Sequence, residues 1–181
     1  GTMLLGSDIA SAVTALRSYP IASLGLNCAT GPTEMTRHIE YLAANWDRCV
    51  SCVPNAGLPV LVEGRTEFPL GPDPLAETVR GFVERLGIDV VGGCCGTTPE
   101  HIRCLADAVH GLDRPARPVG DAPMSCSSLF TSTPYRQERS FFIIGERMNA
   151  SGSRKFKRLL EEENLDEIIS LGRQQAREGA N

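Results

Sequence analysis

Two adjacent thiols, Cys94 and Cys95, stand between Gly92-Gly93 and Gly96. A vicinal cysteine pair can close a strained disulfide, line a turn without a role, or ligate one metal ion. The glycines let the backbone turn so that neighbouring side chains converge. The pair also follows an apolar run, residues 88–91, that reads as a strand. Sites in α/β barrels are built at that carboxyl end of the strands. Both features weigh against an inert turn. A zinc site that keeps one position open for substrate needs a third protein ligand. Cys28 is the candidate, because it follows Leu24-Gly25-Leu26-Asn27 at the end of another expected strand. Cys28, Cys94 and Cys95 would then make a three-thiolate site with a vacant fourth position.

The remaining thiols and imidazoles carry less. Cys49-Val50-Ser51-Cys52 has the C-x-x-C spacing of redox motifs and zinc knuckles. It falls on an expected strand, where residues three apart point to opposite faces, so both are read as ordinary buried thiols. Cys104 lies beside the apolar stripe of a helix and reads as core, and Cys126 has no specific role. His38, His101 and His110 fall in expected helices without a shared ligand spacing, and read as solvated or structural. Trp46 reads as closing a helix end against the core.

The elements that must position these groups alternate. Ser7 and Asp8 precede Ile9, Ala12, Val13 and Leu16, one face of a helix. Residues 21–26 read as a buried strand. A helix opens at Thr30-Gly31-Pro32 with Met35, Ile39 and Leu42 on its stripe, and residues 49–53 are the next strand. Residues 54–72 hold Pro54, Gly57, Pro59, Gly64, Pro69, Gly71 and Pro72, and read as one long loop. A third helix starts at Asp73-Pro74 with Leu75, Val79, Phe82, Val83 and Leu86 inward. Strand 88–91 follows, then a fourth helix from Thr98-Pro99-Glu100 with Ile102, Leu105, Ala106 and Val109 inward. Proline in a first helical turn loses no helical hydrogen bond. Strands alternating with helices imply a parallel sheet, and continuous apolar strands imply one buried on both faces.

From residue 112 the pattern changes. Pro115, Pro118, Pro123 and Pro134 alternate with Ser125, Ser127, Ser128 and Ser132, which reads as a linker over 112–139. Residues 141–145 then read as a strand, Glu146-Arg147-Met148-Asn149 as a turn, and 153–162 and 165–178 as helices.

Composition narrows the classes. The 181 residues hold 18 Lys and Arg against 22 Asp and Glu, a net charge of −4. That balance argues against a partner bound through phosphates, so no nucleic-acid partner is expected. No run approaches the ~18 apolar residues of a membrane span, and no signal peptide is evident. The chain is therefore expected to be cytoplasmic, with no membrane partner. It opens on Gly1 rather than Met, which reads as an internal start or a tag scar. Its length falls short of the roughly 250 residues of a complete (β/α)8 barrel. Half a barrel would leave two sheet edges unpaired, so the chain is expected to be marginal or aggregation-prone alone.

Three strings carry a resemblance. Gly25-Leu26-Asn27-Cys28, Pro54-Asn55-Ala56-Gly57-Leu58-Pro59 and Val91-Gly92-Gly93-Cys94-Cys95-Gly96-Thr97-Thr98-Pro99 resemble the second half of a homocysteine S-methyltransferase domain. Gly145-Glu146-Arg147-Met148-Asn149 followed by Gly152-Ser153-Arg154-Lys155-Phe156 resembles the opening of a pterin-binding barrel. That order of modules is similar to the cobalamin-dependent methionine synthase family.

The resemblance implies an α/β fold. Residues 1–111 would be the C-terminal half of a (β/α)8 TIM barrel, 112–139 a linker, and 140–181 the first βα unit of a second barrel. It implies zinc on Cys28, Cys94 and Cys95, with Asn27 beside the bound amino acid and Glu146 and Asn149 contacting the pterin. No residue is assigned a catalytic role. Homocysteine and methyltetrahydrofolate would be substrates, methionine the product, and cobalamin would sit on a module absent from this chain. The remaining modules of the parent enzyme would be its partners, and the fragment alone would be inactive. Two other classes stand beside this reading. One is a non-catalytic zinc-binding or interaction module derived from the same family. The other is a redox protein using Cys49 and Cys52, which would need a helix N-terminus that this pair lacks.

Overall fold

The structure is a computed structural model that describes residues 6–117, 120 and 123–181. Its first unit, Gly1–Ala122 with Ser127–Ser132, is a mixed α/β body. In chain order it holds α1 (Ile9–Leu16), β1 (Ser23–Asn27), α2 (Pro32–Asn45), β2 (Cys49–Val53), β3 (Val60–Val62), β4 (Arg65–Glu67), α3 (Pro72–Leu86), β5 (Val90–Val91) and α4 (Pro99–Val109). Two short strands, β6 (Ser125–Ser127) and β7 (Ser132–Pro134), follow. The second unit, Pro123–Cys126 with Thr133–Asn181, holds a 3-10 turn at Glu146–Met148, then α5 (Arg154–Glu161) and α6 (Leu165–Arg177).

Local chemistry sets the helix ends. The Asp8 side chain accepts the Ser11 N–H at the start of α1, and proline stands in the first turn of α2, α3 and α4. The third helix begins at Pro72 behind Gly71, rather than at Asp73-Pro74. It stops at Gly87, whose φ of 65° is left-handed.

β1, β2 and β5 form a parallel sheet in that order. β1 pairs along its length with β2, Ser23 opposite Cys49 and Asn27 opposite Val53, and β5 pairs through Val90 and Val91 with Ser51 and Cys52. Any side chain at Gly25 would overlap the Ser51 main chain, so this strand position requires glycine. One core joins Ile39, Leu42 and Trp46 of the α2 side to Val50 and Cys52 of β2 and to Phe82 and Ile88. A second joins Ala56, Leu75, Ala76, Val79 and Leu105. Helix α3 supplies residues to both cores, so it ties the sheet to α4.

The expected parallel sheet is present as three strands, with no closed barrel among the described residues. Several other sequence expectations are corrected. The expected loop 54–72 contains the antiparallel hairpin β3–β4, closed by the two residues Glu63 and Gly64, both at positive φ. In β1 the ladder starts at Ser23, and Ile21 packs outside it against the core. Ile102 and Ala106 of α4 are exposed, and the buried positions are His101 and Leu105. Cys49 is exposed while Cys52 is buried, as opposite faces of a strand require, so only one of the pair is a buried thiol. Residues 141–145 form no strand, and Phe141 is 89% exposed. A strand is stabilised by a neighbouring ladder, and among the described residues nothing supplies one there. Pro118, read as part of the linker, lies outside the described residues.

The segment after α4 is pinned rather than free. Arg114 and Arg117 both pair with Asp89. Arg117 also donates to the carbonyls of Gly87 and Arg48 at 3.1 and 2.6 Å. Asp89 accepts the Val50 N–H at 2.8 Å. Burial alone would raise the Asp89 carboxyl, but the Val50 hydrogen bond and the Arg117 guanidinium outweigh it and hold the group below the usual carboxylate range. A lowered folded-state pKa stabilises the fold above the unfolded value and loses that contribution as pH falls through the folded one. Asp89→Asn should therefore cost about 2 kcal/mol at neutral pH. In urea unfolding the deficit should shrink toward zero as pH falls through the lowered folded-state pKa of Asp89, where the native carboxylate is itself protonating. A pH-independent deficit would mean that the charge contributes nothing.

Candidate metal centre

The strands bring the three candidate thiols to one end of the sheet, but strand geometry does not make them meet. β1 and β5 are separated by β2, about 9.6 Å at ordinary spacing. The connecting turns close the gap. Cys28 and Ala29 take φ of 64° and 63°, a left-handed pair that costs non-glycine residues roughly 1–3 kcal/mol each. Two main-chain bonds hold Cys28 there: its N–H donates to Val53 O at 2.9 Å, and its carbonyl accepts the Thr30 N–H at 2.7 Å. On the other side, Gly96 has φ of 77° and closes the turn that carries Cys94 and Cys95.

All three sulfurs lie within 4.8 Å of one another, and among the described residues they form the one cluster able to hold a metal ion. The Sγ of Cys95 is 3.6 Å from that of Cys28 and 3.9 Å from that of Cys94. Zinc–sulfur bonds of about 2.3 Å in a tetrahedron place sulfurs about 3.8 Å apart. The two separations bracket that edge. The cysteines are free thiols, so the vicinal pair is not a disulfide. Cys28 and Cys94 are half-buried and Cys95 is exposed, which leaves the cluster open to solvent on one side.

The electrostatics of the cluster favour a cation. The Ala29 N–H, followed by the Cys95 and Cys94 thiols, lowers the Cys28 pKa. Hydrogen bonds to Cys28 and Cys94, with the negative charge those sulfurs bring, push Cys95 up to about 11. Contacting thiols cannot all ionise at neutral pH unless a positive charge joins them. A divalent ion meets that requirement, and soft thiolates suit zinc.

One residue that shapes the site had no role assigned from sequence. Asn55, just beyond β2, is buried, and its side-chain oxygen accepts the Cys95 N–H at 3.1 Å. Its main-chain N–H donates to Thr30 O at 3.0 Å, so residue 55 is bonded to the turns that carry both Cys28 and Cys95. The string Pro54-Asn55-Ala56-Gly57 was visible, but nothing local showed that its amide would turn back toward residue 95.

The other sequence candidates are placed as follows. Asn27 is the exposed last residue of β1, directly before Cys28. Glu146 and Asn149 lie in the second unit, at the start of the 3-10 turn and just after it, joined by the Asn149 N–H to the Glu146 carbonyl at 3.1 Å. Both are exposed. Cys52 is pushed up to about 12 by burial, so it stays a neutral thiol. Cys104 is half-buried against the second core. Burial lowers the pKa of His38. His101 is buried and bonded within the fold, and His110 is the exposed residue that ends α4. Trp46 is fully buried at the end of α2, with the Arg48 guanidinium 4.3 Å from its ring centre. Among the described residues, no helix is long and apolar enough to cross a membrane.

Comparison with known proteins gives the family of the chain. The profile of the family described as homocysteine S-methyltransferase matches residues 1–109. A methionine synthase of Mycobacterium tuberculosis is 48% identical over 180 residues, covering 99% of this chain and 15% of that protein. A methionine synthase of Mycobacterium leprae is 45% identical over 184 residues, with the same two coverages. The chain thus spans about 15% of the length of the curated relatives it matches. With the family profile covering the whole sheet and all three clustered thiols, the chain belongs to the homocysteine S-methyltransferase family.

Proposed function

We propose that the first unit carries a methyl-acceptor site in which Cys28, Cys94 and Cys95 hold zinc and leave its fourth position to the sulfur of homocysteine. The observation that supports this most is the sulfur spacing: two separations of 3.6 and 3.9 Å lie at the edge length of a tetrahedral thiolate shell, and all three sulfurs fall within 4.8 Å. Residues 1–111 are then the C-terminal half of a (β/α)8 barrel, 112–139 a linker and 140–181 the start of a pterin-binding barrel. Asn27 would lie beside the amino acid, and Glu146 and Asn149 would contact methyltetrahydrofolate. The parent enzyme would be a cytoplasmic methyltransferase that moves a methyl group from methyltetrahydrofolate to homocysteine, giving methionine. Its cobalamin would belong to another module, and the remaining modules would be the partners of this chain.

The residues present suit their share of that chemistry. A thiol of pKa about 8.5 is only a few per cent ionised at neutral pH. Zinc, when bound, deprotonates a coordinating thiol outright and so supplies a sulfur nucleophile. Three protein thiolates already exceed the charge of a divalent ion, so they keep electron density on any sulfur that joins them. The Asn55 side chain holds the Cys95 peptide in place, and the exposure of Cys95 leaves an approach from solvent.

X-ray absorption at the zinc edge tests the reading. One zinc per chain with three sulfurs, rising to four when homocysteine is added, is expected. A four-sulfur shell indifferent to homocysteine would mean a structural metal site instead. Substitution tests the ligand set. Cys28→Ala should weaken zinc binding more than about a hundredfold, while Cys49→Ala should leave it unchanged. The reverse order would move the site to the C-x-x-C pair.

A further inference from the structure

His101 is a buried imidazole that takes no part in the chemistry above. It is 7% exposed, at the third position of α4. Its Nδ1 lies 3.2 Å from the Thr98 main-chain nitrogen and 2.9 Å from the Thr98 hydroxyl. Its Nε2 lies 2.9 Å from the Leu70 carbonyl oxygen. A main-chain N–H only donates and a carbonyl only accepts, so Nδ1 accepts from Thr98 and the ring proton sits on Nε2, directed at Leu70. The Thr98 contacts are a capping box, in which Glu or Gln usually stands at this position. The bond to Leu70 is an addition that a capping glutamate could not make.

That addition leads to the thiols. The Leu70 N–H donates to Ala56 O at 3.0 Å, and the Ala56 N–H donates to Cys95 O at 2.9 Å. A continuous path of hydrogen bonds therefore runs from His101 through Leu70 and Ala56 to the Cys95 peptide. Phe68, two residues before Leu70, lies so close to Gly96 that any side chain at 96 would overlap it. Residues 68–70 thus form a strap that presses on the thiol turn at Gly96 and is tied to it at Cys95. Both contacts depend on where Leu70 is held.

We propose that His101 is a positioning residue for the thiol site, donating from Nε2 to Leu70 and so fixing the strap and, through Ala56, the Cys95 peptide. The proposal rests on reading Cys28, Cys94 and Cys95 as metal ligands. Two substitutions separate the capping role from the donor role. His101→Gln keeps an acceptor for Thr98 and a donor for Leu70. His101→Glu keeps the acceptor and loses the donor. The added carboxylate would by itself attract a divalent cation, so weaker binding would report lost positioning rather than charge.

The test titrates cobalt(II) into the chain, reads the thiolate-to-cobalt charge-transfer band, and follows amide exchange at Ala56 and Leu70. His101→Glu should weaken cobalt binding about tenfold and speed exchange at both amides, and His101→Gln should stay close to wild type. Unchanged cobalt affinity in His101→Glu would overturn the proposal. So would a His101→Gln variant as impaired as His101→Glu. If the wild-type chain takes up no cobalt, the metal reading fails and exchange at Ala56 decides alone: faster exchange in His101→Glu keeps the positioning role, and unchanged exchange removes it. Should His101→Glu fail to fold, His101→Asn replaces it with the same expectations, because its amide can cap Thr98 but stops short of Leu70.

Discussion

Residues 54–56, where the chain leaves β2, bond to both sides of the thiol cluster. The Asn55 N–H donates to Thr30 O beyond Cys28, and Pro54 O accepts the Cys94 N–H. The Asn55 side chain and the Ala56 N–H bind the two ends of the Cys95 peptide environment, its N–H and its carbonyl. This short loop is buried, so its polar groups need partners inside the protein. The partners it finds are the turns that carry the cysteines. Satisfying buried main chain and converging three sulfurs are here the same act.

The rest of the first unit can be read as support for that loop. Gly25 lets β1 lie close against Ser51, which fixes the register that puts Asn27 opposite Val53 and Cys28 just beyond the ladder. Helix α3 packs under both cores and sets the distance between the sheet and α4. At the opposite end, the Asp89 cluster binds the segment after α4 back to the start of β2 and β5. The left-handed Cys28 and Ala29 are strained residues in a setting that over-determines them, as is usual where side chains must be aimed.

The second unit has a different character. Its buried hydrophobic residues are Phe156, Leu159 and Leu171, and the buried Gln175 accepts the Arg147 N–H at 2.7 Å. Phe141 and Ile144 remain exposed. The helices α5 and α6 were legible because capping residues, Ser153 and Asn164, and an apolar stripe are local signals. The strand expected at 141–145 was not realised, because a strand depends on a neighbour that its own residues cannot supply.

That contrast runs through the whole chain. Sequence alone determined the helices with their proline and side-chain caps, the parallel α/β pattern, and the placement of Cys28 and the Cys94–Cys95 pair after strands. Each of these rests on residues within one turn or one strand. The hairpin in residues 60–67 escaped because its Glu63-Gly64 turn sits among prolines and glycines that read as a long loop. Cys49 and Cys52 had the more familiar spacing, and strand geometry already set them on opposite faces. Only the tertiary structure decided that three sulfurs gather within 4.8 Å of one another, that the Asn55 side chain reaches the Cys95 peptide, and that His101 faces Leu70. Those contacts join residues 31 to 67 positions apart, and no local pattern encodes a distance between segments that meet only when the core has packed.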